Sequence, residues 1–523
     1  MPSEVTLEGG RDPRWRWRWL SPFGLAVVVL FAVQPFVRFA DNNHGEPLPL
    51  GRMALFAAGA ATLAVLATLV VVARTGRDRD RVAVATAAFL LSFSSFSLWL
   101  SSIYPDRWRR LLEVVLWLIV TVALVALAYR ASGHSWVRSF ALFYGVIYLA
   151  IPLVSYVSFR HEVDGGERPT AGAVLPPVSA VPAERPNVYW LMLDEYGRRD
   201  QVEHYTGTDL GPFYQSLADR GFDVSESSSA AYNRTQLSLA STLTMQYLFQ
   251  PGNDIRDEFD VAGPVVTGAN PVVDRFRDLG YRFVYSDSGS LTWAHCSTPA
   301  ADQCIPAGTN PLALDDLEMN LLRTTALAAV PVVQERFTDP VGVVDRVHDA
   351  VDPAGPPFFL FAHILSPHWP YRFSDDCGRR LTPMEAQLLP PRDRATAYGE
   401  ELTCLNADVL QAVDRIIAAD PTAVIILQAD HGTAFTVDWS WAAEEWTPTA
   451  IQERLAPLNA IRFPTSCQHP PLDGQPLVNT FRLVFACIEG TPPELLEPRA
   501  YISSFDRVDD LREVEPSRPF AAP

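Results

Sequence analysis

Lysine is absent from all 523 residues, so every fixed positive charge is an arginine, 42 of them against 60 Asp plus Glu. Past residue 170 there is no basic run, and clustered positive charge is what neutralising a nucleic-acid backbone requires. A nucleic-acid partner is excluded on that ground. Charged residues make up 20% of the chain and hydrophobic residues 48%, too apolar and too well mixed for a disordered protein. No internal repeat is present. The cysteines number six, none precedes Cys296, and none has zinc-finger spacing.

What is present divides sharply. The first 170 residues carry 17 Arg against 12 acidic residues, and the remaining 353 carry 25 against 48. Apolar stretches cover roughly 20 to 37, 53 to 73, 82 to 104, 111 to 129 and 139 to 158, each near the ~20 residues that cross a bilayer as helix. The second has no charge, whereas the third is diluted by Ser92, Ser94, Ser95 and Ser97. The pattern predicts an α-helical membrane bundle of five spans over 1–160. RDPRWRWRW before the first span and RTGRDRDR after the second put those segments in the cytoplasm and everything past residue 160 outside. Arg107, Arg109 and Arg110 would then lie on the outer side, against that rule.

Cys296, Cys304, Cys377, Cys404, Cys467 and Cys487 all fall in the exported part, an even count suited to an oxidising compartment. Pairing of sequence neighbours is expected: Cys296 with Cys304, Cys377 with Cys404, Cys467 with Cys487. Residues 161–186 are rich in Pro, Gly and Ala and read as an extended tether to a domain spanning 187–523. Within that domain NVYWLMLD (187–194), YRFVYSD (281–287), FFLFAHIL (358–365) and AVIILQAD (423–430) read as buried parallel strands. NPVVDRFRDLG and ELTCLNADVLQAVDRIIAA between them have helical periods. An α/β domain with a mostly parallel central sheet follows, its ligand expected beyond the carboxyl ends of the strands.

The acids and histidines gather at that edge. Asp194 and Glu195 end the first strand, Asp430 and His431 end the last, and carboxylates with an imidazole suit zinc, manganese or magnesium. Gly432 follows them. Thr235 opens a helical pattern in AAYNRTQLSLASTLTMQYL, where its hydroxyl could cap the helix or attack a phosphate or sulfate held by the helix start. Asn233, Arg234 and Thr235 also spell a glycosylation sequon. HILSPHWPY brings His363 and His368 to the same edge, His368 for contacting phosphate or protonating a leaving alkoxide.

In this order, NVYWLMLDE, a Thr at a helix start, H-x-x-S-x-H-x-P-Y and Q-A-D-H-G resemble the alkaline phosphatase and sulfatase superfamily. The nearer resemblance is to its membrane-anchored branch, the lipoteichoic acid synthases and phosphoethanolamine transferases. It implies an alkaline-phosphatase-like domain, one divalent metal on Asp194, Thr235, Asp430 and His431, Thr235 as nucleophile and His368 as a catalytic histidine. Glu195, His363 and Arg482 are further candidates for metal or substrate contacts; Arg482, with Asn459 and Asn479, lies in PLNAIRFP and VNTFR near the chain's close. Two departures stand out. Asp194 occupies a position where the synthases and transferases usually have Glu, and TAFTV follows His431 where the transferases have an acidic, glycine-containing run. The formylglycine motif C/S-x-P-x-R of sulfatases is absent: CIPAG at Cys304 lacks the arginine.

The resemblance implies a phospholipid donor in the plasma membrane and an envelope glycan or lipid as acceptor. A phosphodiesterase or phosphatase would share the first half-reaction. An inactive envelope-binding domain is the non-enzymatic alternative.

Overall fold

The computed structural model describes residues 19–44, 48–96, 107–163, 175–178, 180–253, 255, 258–286, 301–305, 321–322, 324–329, 347–378, 391–505 and 508–520. They fall into two compact units, one holding the N-terminal helices and residues 321–329, the other most of the chain past residue 158.

In the first unit the apolar stretches form α1 (Pro22–Asn42), α2 (Leu50–Thr75), α3 (Arg79–Ser94), α4 (Arg107–Ala131) and α5 (Ser135–Val163). Among the described residues four helices are long and apolar enough to cross a bilayer, within α1, α2, α4 and α5. The third stretch differs from expectation. Its helix α3 has 16 residues, and residues 97–104 of the expected span lie outside the described residues. One of its serines ties it to α4: the Ser92 and Thr121 hydroxyls share a 2.6 Å hydrogen bond, and Trp117 Nε1 donates to the Ser92 carbonyl at 3.3 Å. Such pairs join apolar helices where water offers no alternative partner.

In the second unit the four apolar runs become β1 (Val188–Leu193), β3 (Arg282–Ser286), β5 (Phe358–Ile364) and β6 (Val424–Gln428). Three short strands join them: β2 (Phe222–Val224), β4 (Gln303–Ile305) and β7 (Asn459–Arg462). The sheet runs β2-β7-β6-β1-β5-β3-β4. Strands β6, β1, β5, β3 and β4 are mutually parallel, and β7 is antiparallel to both β6 and β2. A hairpin of β8 (Ala500–Ile502) and β9 (Arg512–Val514) forms a second small sheet.

Every residue of β1 is buried, and its alternation feeds two cores. Val188, Trp190 and Met192 join one cluster with Leu237 of α8 (Thr235–Thr244), Phe276 of α10 (Pro271–Asp278) and Phe481 of α13 (Thr480–Glu489); α9 (Glu258–Val266) adds Val261. Tyr189, Leu191 and Leu193 join the other with Val202 of α6 (Arg199–Thr206), Leu217 of α7 (Gly211–Asp219) and Val409 of the 29-residue α11 (Pro391–Ala419). A period of two with both faces covered is why the run reads as continuously apolar. Each fully buried large side chain contributes roughly 1.5–3 kcal/mol. Helix α10 starts as its sequence dictates: the Asn270 side chain accepts from Val273 N–H at 2.8 Å, with Pro271 in the first turn.

The end of the expected tether is not free. Leu175 and Val178 pack on the first core, and Arg275 and Tyr281 donate to the carbonyls of Pro176 and Pro186 at 2.7 and 2.9 Å. Disulfides join Cys377 to Cys404 and Cys467 to Cys487, as expected. Cys304 is also disulfide-bonded, and Cys296 lies outside the described residues.

Candidate metal and nucleophile centre

Strands β1 and β6 are neighbours in register, Met192 opposite Gln428, so the residues just past their carboxyl ends meet. Asp194, Asp430 and His431 are all buried, and one ligand atom from each lies within 4.8 Å of the others. His431 Nε2 is 2.9 Å from Asp430 Oδ2 and 4.0 Å from Asp194 Oδ1. Neither of those two oxygens has a hydrogen-bond partner. Burial pushes the Asp430 pKa up, but the facing His431 outweighs that and holds it below the ordinary carboxylate range. Two carboxylate oxygens buried without donors are costly unless a cation completes them. With an imidazole nitrogen beside them, they are a donor set that fits a divalent metal.

Thr235 is the first residue of α8, and Arg234, not Thr235, holds the N-cap position. Freed from capping, the Thr235 hydroxyl lies 3.1 Å from His431 Nε2. The first helical bond runs from Ser238 N–H to the Arg234 carbonyl at 3.0 Å, so the amides of Thr235, Gln236 and Leu237 precede the ladder. They supply the positive end of the helix. Ser238 Oγ donates to the Asp430 carbonyl at 2.6 Å and ties this helix start to the end of β6. The sequon is buried: Asn233 exchanges hydrogen bonds with the Ser503 backbone at 2.9 and 3.2 Å, which leaves its amide no room for a glycan.

His363, inside β5, donates from Nε2 to Asp194 Oδ2 at 3.1 Å. His368 stands in the following loop, which Glu401 of α11 pins by accepting from Ser366 Oγ at 2.8 Å and from the Arg372 amide. The His368 side chain is 41% exposed, with Nε2 3.5 Å from Glu195 Oε2. Burial lowers its pKa, but Asp194 and Glu195 outweigh that and raise it above the ordinary 6.5. The Glu195 carboxylate lies between His368, 3.5 Å from Oε2, and Arg454, 3.8 Å from Oε1, and burial raises its pKa. Its backbone is left-handed, φ 65°, held by Asp430 Oδ1 on its N–H at 3.2 Å and by the Tyr398 hydroxyl on its carbonyl at 3.0 Å.

Gly432 has no freedom to be another residue. A Cβ there would meet the Glu453 carbonyl oxygen at 2.2 Å and that of Ala456 at 2.7 Å. This close approach brings α12 (Pro448–Arg454) against the His431 loop, and with it Arg454, a residue the sequence did not single out. Arg454 is buried, donates to the carbonyls of Asn233 and Gly432 at 3.0 and 3.1 Å, and places Nη2 2.9 Å from His431 Nε2. Its Nη1 is 3.8 Å from Glu195 Oε1 and its guanidinium lies over the Trp439 ring. Arg482, by contrast, is a candidate the structure does not bring to the centre. It donates to the carbonyls of Met245, at 2.8 and 3.2 Å, and Glu494, at 2.7 Å. Met245 caps the far end of α8, a ten-residue helix and so about 15 Å from Thr235. Asn459 and Asn479 are likewise taken up, by Gln428 and by Gln475 with Leu496.

No protein-family model and no curated protein matches the chain. Solved structures similar to it include the C-terminal periplasmic domain of EptC from Escherichia coli in complex with Zn, at 12% identity and TM-score 0.42, covering 65% of this chain and 96% of that one. The soluble domain of lipooligosaccharide phosphoethanolamine transferase A from Neisseria meningitidis matches at 12% identity and TM-score 0.38, covering 59% and 90%. A phosphonate monoester hydrolase from Silicibacter pomeroyi matches at 14% identity and TM-score 0.39, covering 61% and 79%. All three TM-scores lie below 0.5.

Proposed function

We propose that this chain is a membrane-anchored, metal-dependent phosphotransferase of the alkaline phosphatase and sulfatase kind. It moves a phospho-headgroup from a membrane phospholipid to a cell-envelope acceptor through a covalent intermediate on Thr235. One observation carries the reading: a hydroxyl at a helix start faces a buried Asp194, Asp430 and His431 set with two partnerless carboxylate oxygens. The four apolar helices and the disulfides of the second unit support a multi-pass anchor with that unit outside the cell. Five spans, including 82–104, are part of the proposal.

Asp194, Asp430 and His431, with Thr235, would hold the metal, which when bound supplies Lewis acidity that lowers the hydroxyl pKa and offsets phosphoryl charge. In the first half, Thr235 Oγ1, its proton lost to solvent, attacks phosphorus and the bond from phosphorus to the lipid oxygen breaks. His368, kept protonated by its carboxylate neighbours, gives its Nε2 proton to that leaving oxygen. The amides of Thr235, Gln236 and Leu237 orient the phosphoryl oxygens. In the second half the acceptor hydroxyl attacks, neutral His368 takes its proton, and the bond from phosphorus to Thr235 breaks.

Water as acceptor gives the second reading, a phosphodiesterase, which the 41% exposure of His368 favours. Both are tested by incubating full-length protein in detergent with a headgroup-labelled phospholipid, a divalent metal and envelope glycolipid. Label should reach the glycolipid in the first reading and water in the second. Thr235→Ala should slow lipid consumption on the order of a thousandfold or more. Unconsumed lipid with the native protein would leave a binding role.

A further inference from the structure

His431 Nε2 has one lone pair, and Arg454 Nη2 and Asp430 Oδ2 at 2.9 Å and the Thr235 hydroxyl at 3.1 Å crowd it. A guanidinium can only donate, so the contact of Arg454 Nη2 at 2.9 Å uses the Nε2 lone pair in the tautomer whose ring proton sits on Nδ1, 3.1 Å from the Gly432 carbonyl. That same lone pair is the one His431 would give a metal shared with Asp194 and Asp430. Arg454 has not drifted there by chance. It is fixed by Asn233 O, by Gly432 O and by the Trp439 ring, 5.2 Å from the guanidinium carbon. Glu195, 3.8 Å from Nη1, is a buried carboxylate to which it can turn.

We propose that Arg454 competes with a divalent cation for His431 Nε2 and so sets how tightly the centre holds its metal. The inference rests on the metal reading of Asp194, Asp430 and His431. Its logic is stoichiometric and electrostatic: the guanidinium spends the ligand's lone pair and puts a positive charge beside a site that must receive two more. A chain without lysine assigns this task to the cation that cannot be deprotonated.

The test is calorimetric titration of Zn²⁺, and separately Mn²⁺, into chelator-stripped full-length protein in detergent. Arg454→Gln should bind on the order of tenfold tighter than the native chain, the scale on which neighbours of metal ligands act. Without metal it should melt at a lower temperature than the native protein, because the carboxylates lose their cation, and it should gain more on metal addition. Trp439→Ala, at a surface ring, should tighten binding by a smaller factor and decides the matter if the glutamine variant does not fold. Equal or weaker binding by the folded variants overturns the role of Arg454 while leaving the metal centre standing. No uptake by the native protein or either variant overturns the metal reading itself, and this inference with it.

Discussion

Helix α8 ends twice against arginine and backbone, and the two ends are used differently. At its start Thr235 begins the helix without capping it, and the hydroxyl faces His431 with Arg454 close behind. At its other end Arg482 satisfies the carbonyl of Met245, the residue in left-handed conformation that closes the helix. The C-terminal arginine answers the negative end of the helix in the ordinary stabilising way. At the N-terminus the amides that precede the helical ladder and the partnerless oxygens of Asp194 and Asp430 are left for something else to complete. The difference teaches that stability and chemistry are divided along one element: one end is satisfied by the chain, the other is kept in need of a ligand.

The comparison breaks most readily at Gly432. Gly432→Ala drives a methyl into two backbone carbonyls that no side-chain motion can relieve, and should cost at least about 3 kcal/mol, read by thermal unfolding. It should cost metal binding as well, since the α12 approach shapes the His431 loop. A normal melting curve would show that the approach of α12 is not tight. His368→Gln sharpens the chemical end. Because the His368 pKa is raised, its imidazolium persists above pH 6.5, and transfer should decline as pH rises through the raised value. The glutamine variant should lose about a hundredfold in rate and that pH limb together, while a limb that persists would assign it to another group. Any stability from the charged His368 follows the same sign: it is present at low pH and lost as pH rises through the folded-state value. Arg482→Ala tests the other end and has the smallest effect. It should lower stability by about 1–3 kcal/mol through the freed carbonyls and leave the rate per folded molecule unchanged.

Much of the sheet was legible in sequence because β1, β3, β5 and β6 are covered on both faces and are mostly apolar, with polar residues at or near their ends. Strands β2, β4 and β7, of three or four residues, carry too little pattern, and the antiparallel pairing of β7 is set by its neighbours. The strand-borne part of the centre was equally readable: Asp194, Asp430 and His431 follow runs whose ends are unmistakable. Arg454 was not. It closes a seven-residue helix, PTAIQER, that resembles any solvated helix end, and its burial arises from a fold-level approach marked only by Gly432. Arg482 misled for the opposite reason, since a helical arginine near the chain's end carries no local sign that backbone carbonyls claim it.

The most direct test of the account is peptide mass spectrometry across residues 230–248 after full-length protein has met its own membrane lipids and a divalent metal, with Thr235→Ala alongside. The account predicts a phospho-headgroup on Thr235 in the native chain and none in the variant, the added mass naming the group transferred. A headgroup found on any other residue, or lipid consumed at the native rate by Thr235→Ala, would contradict it.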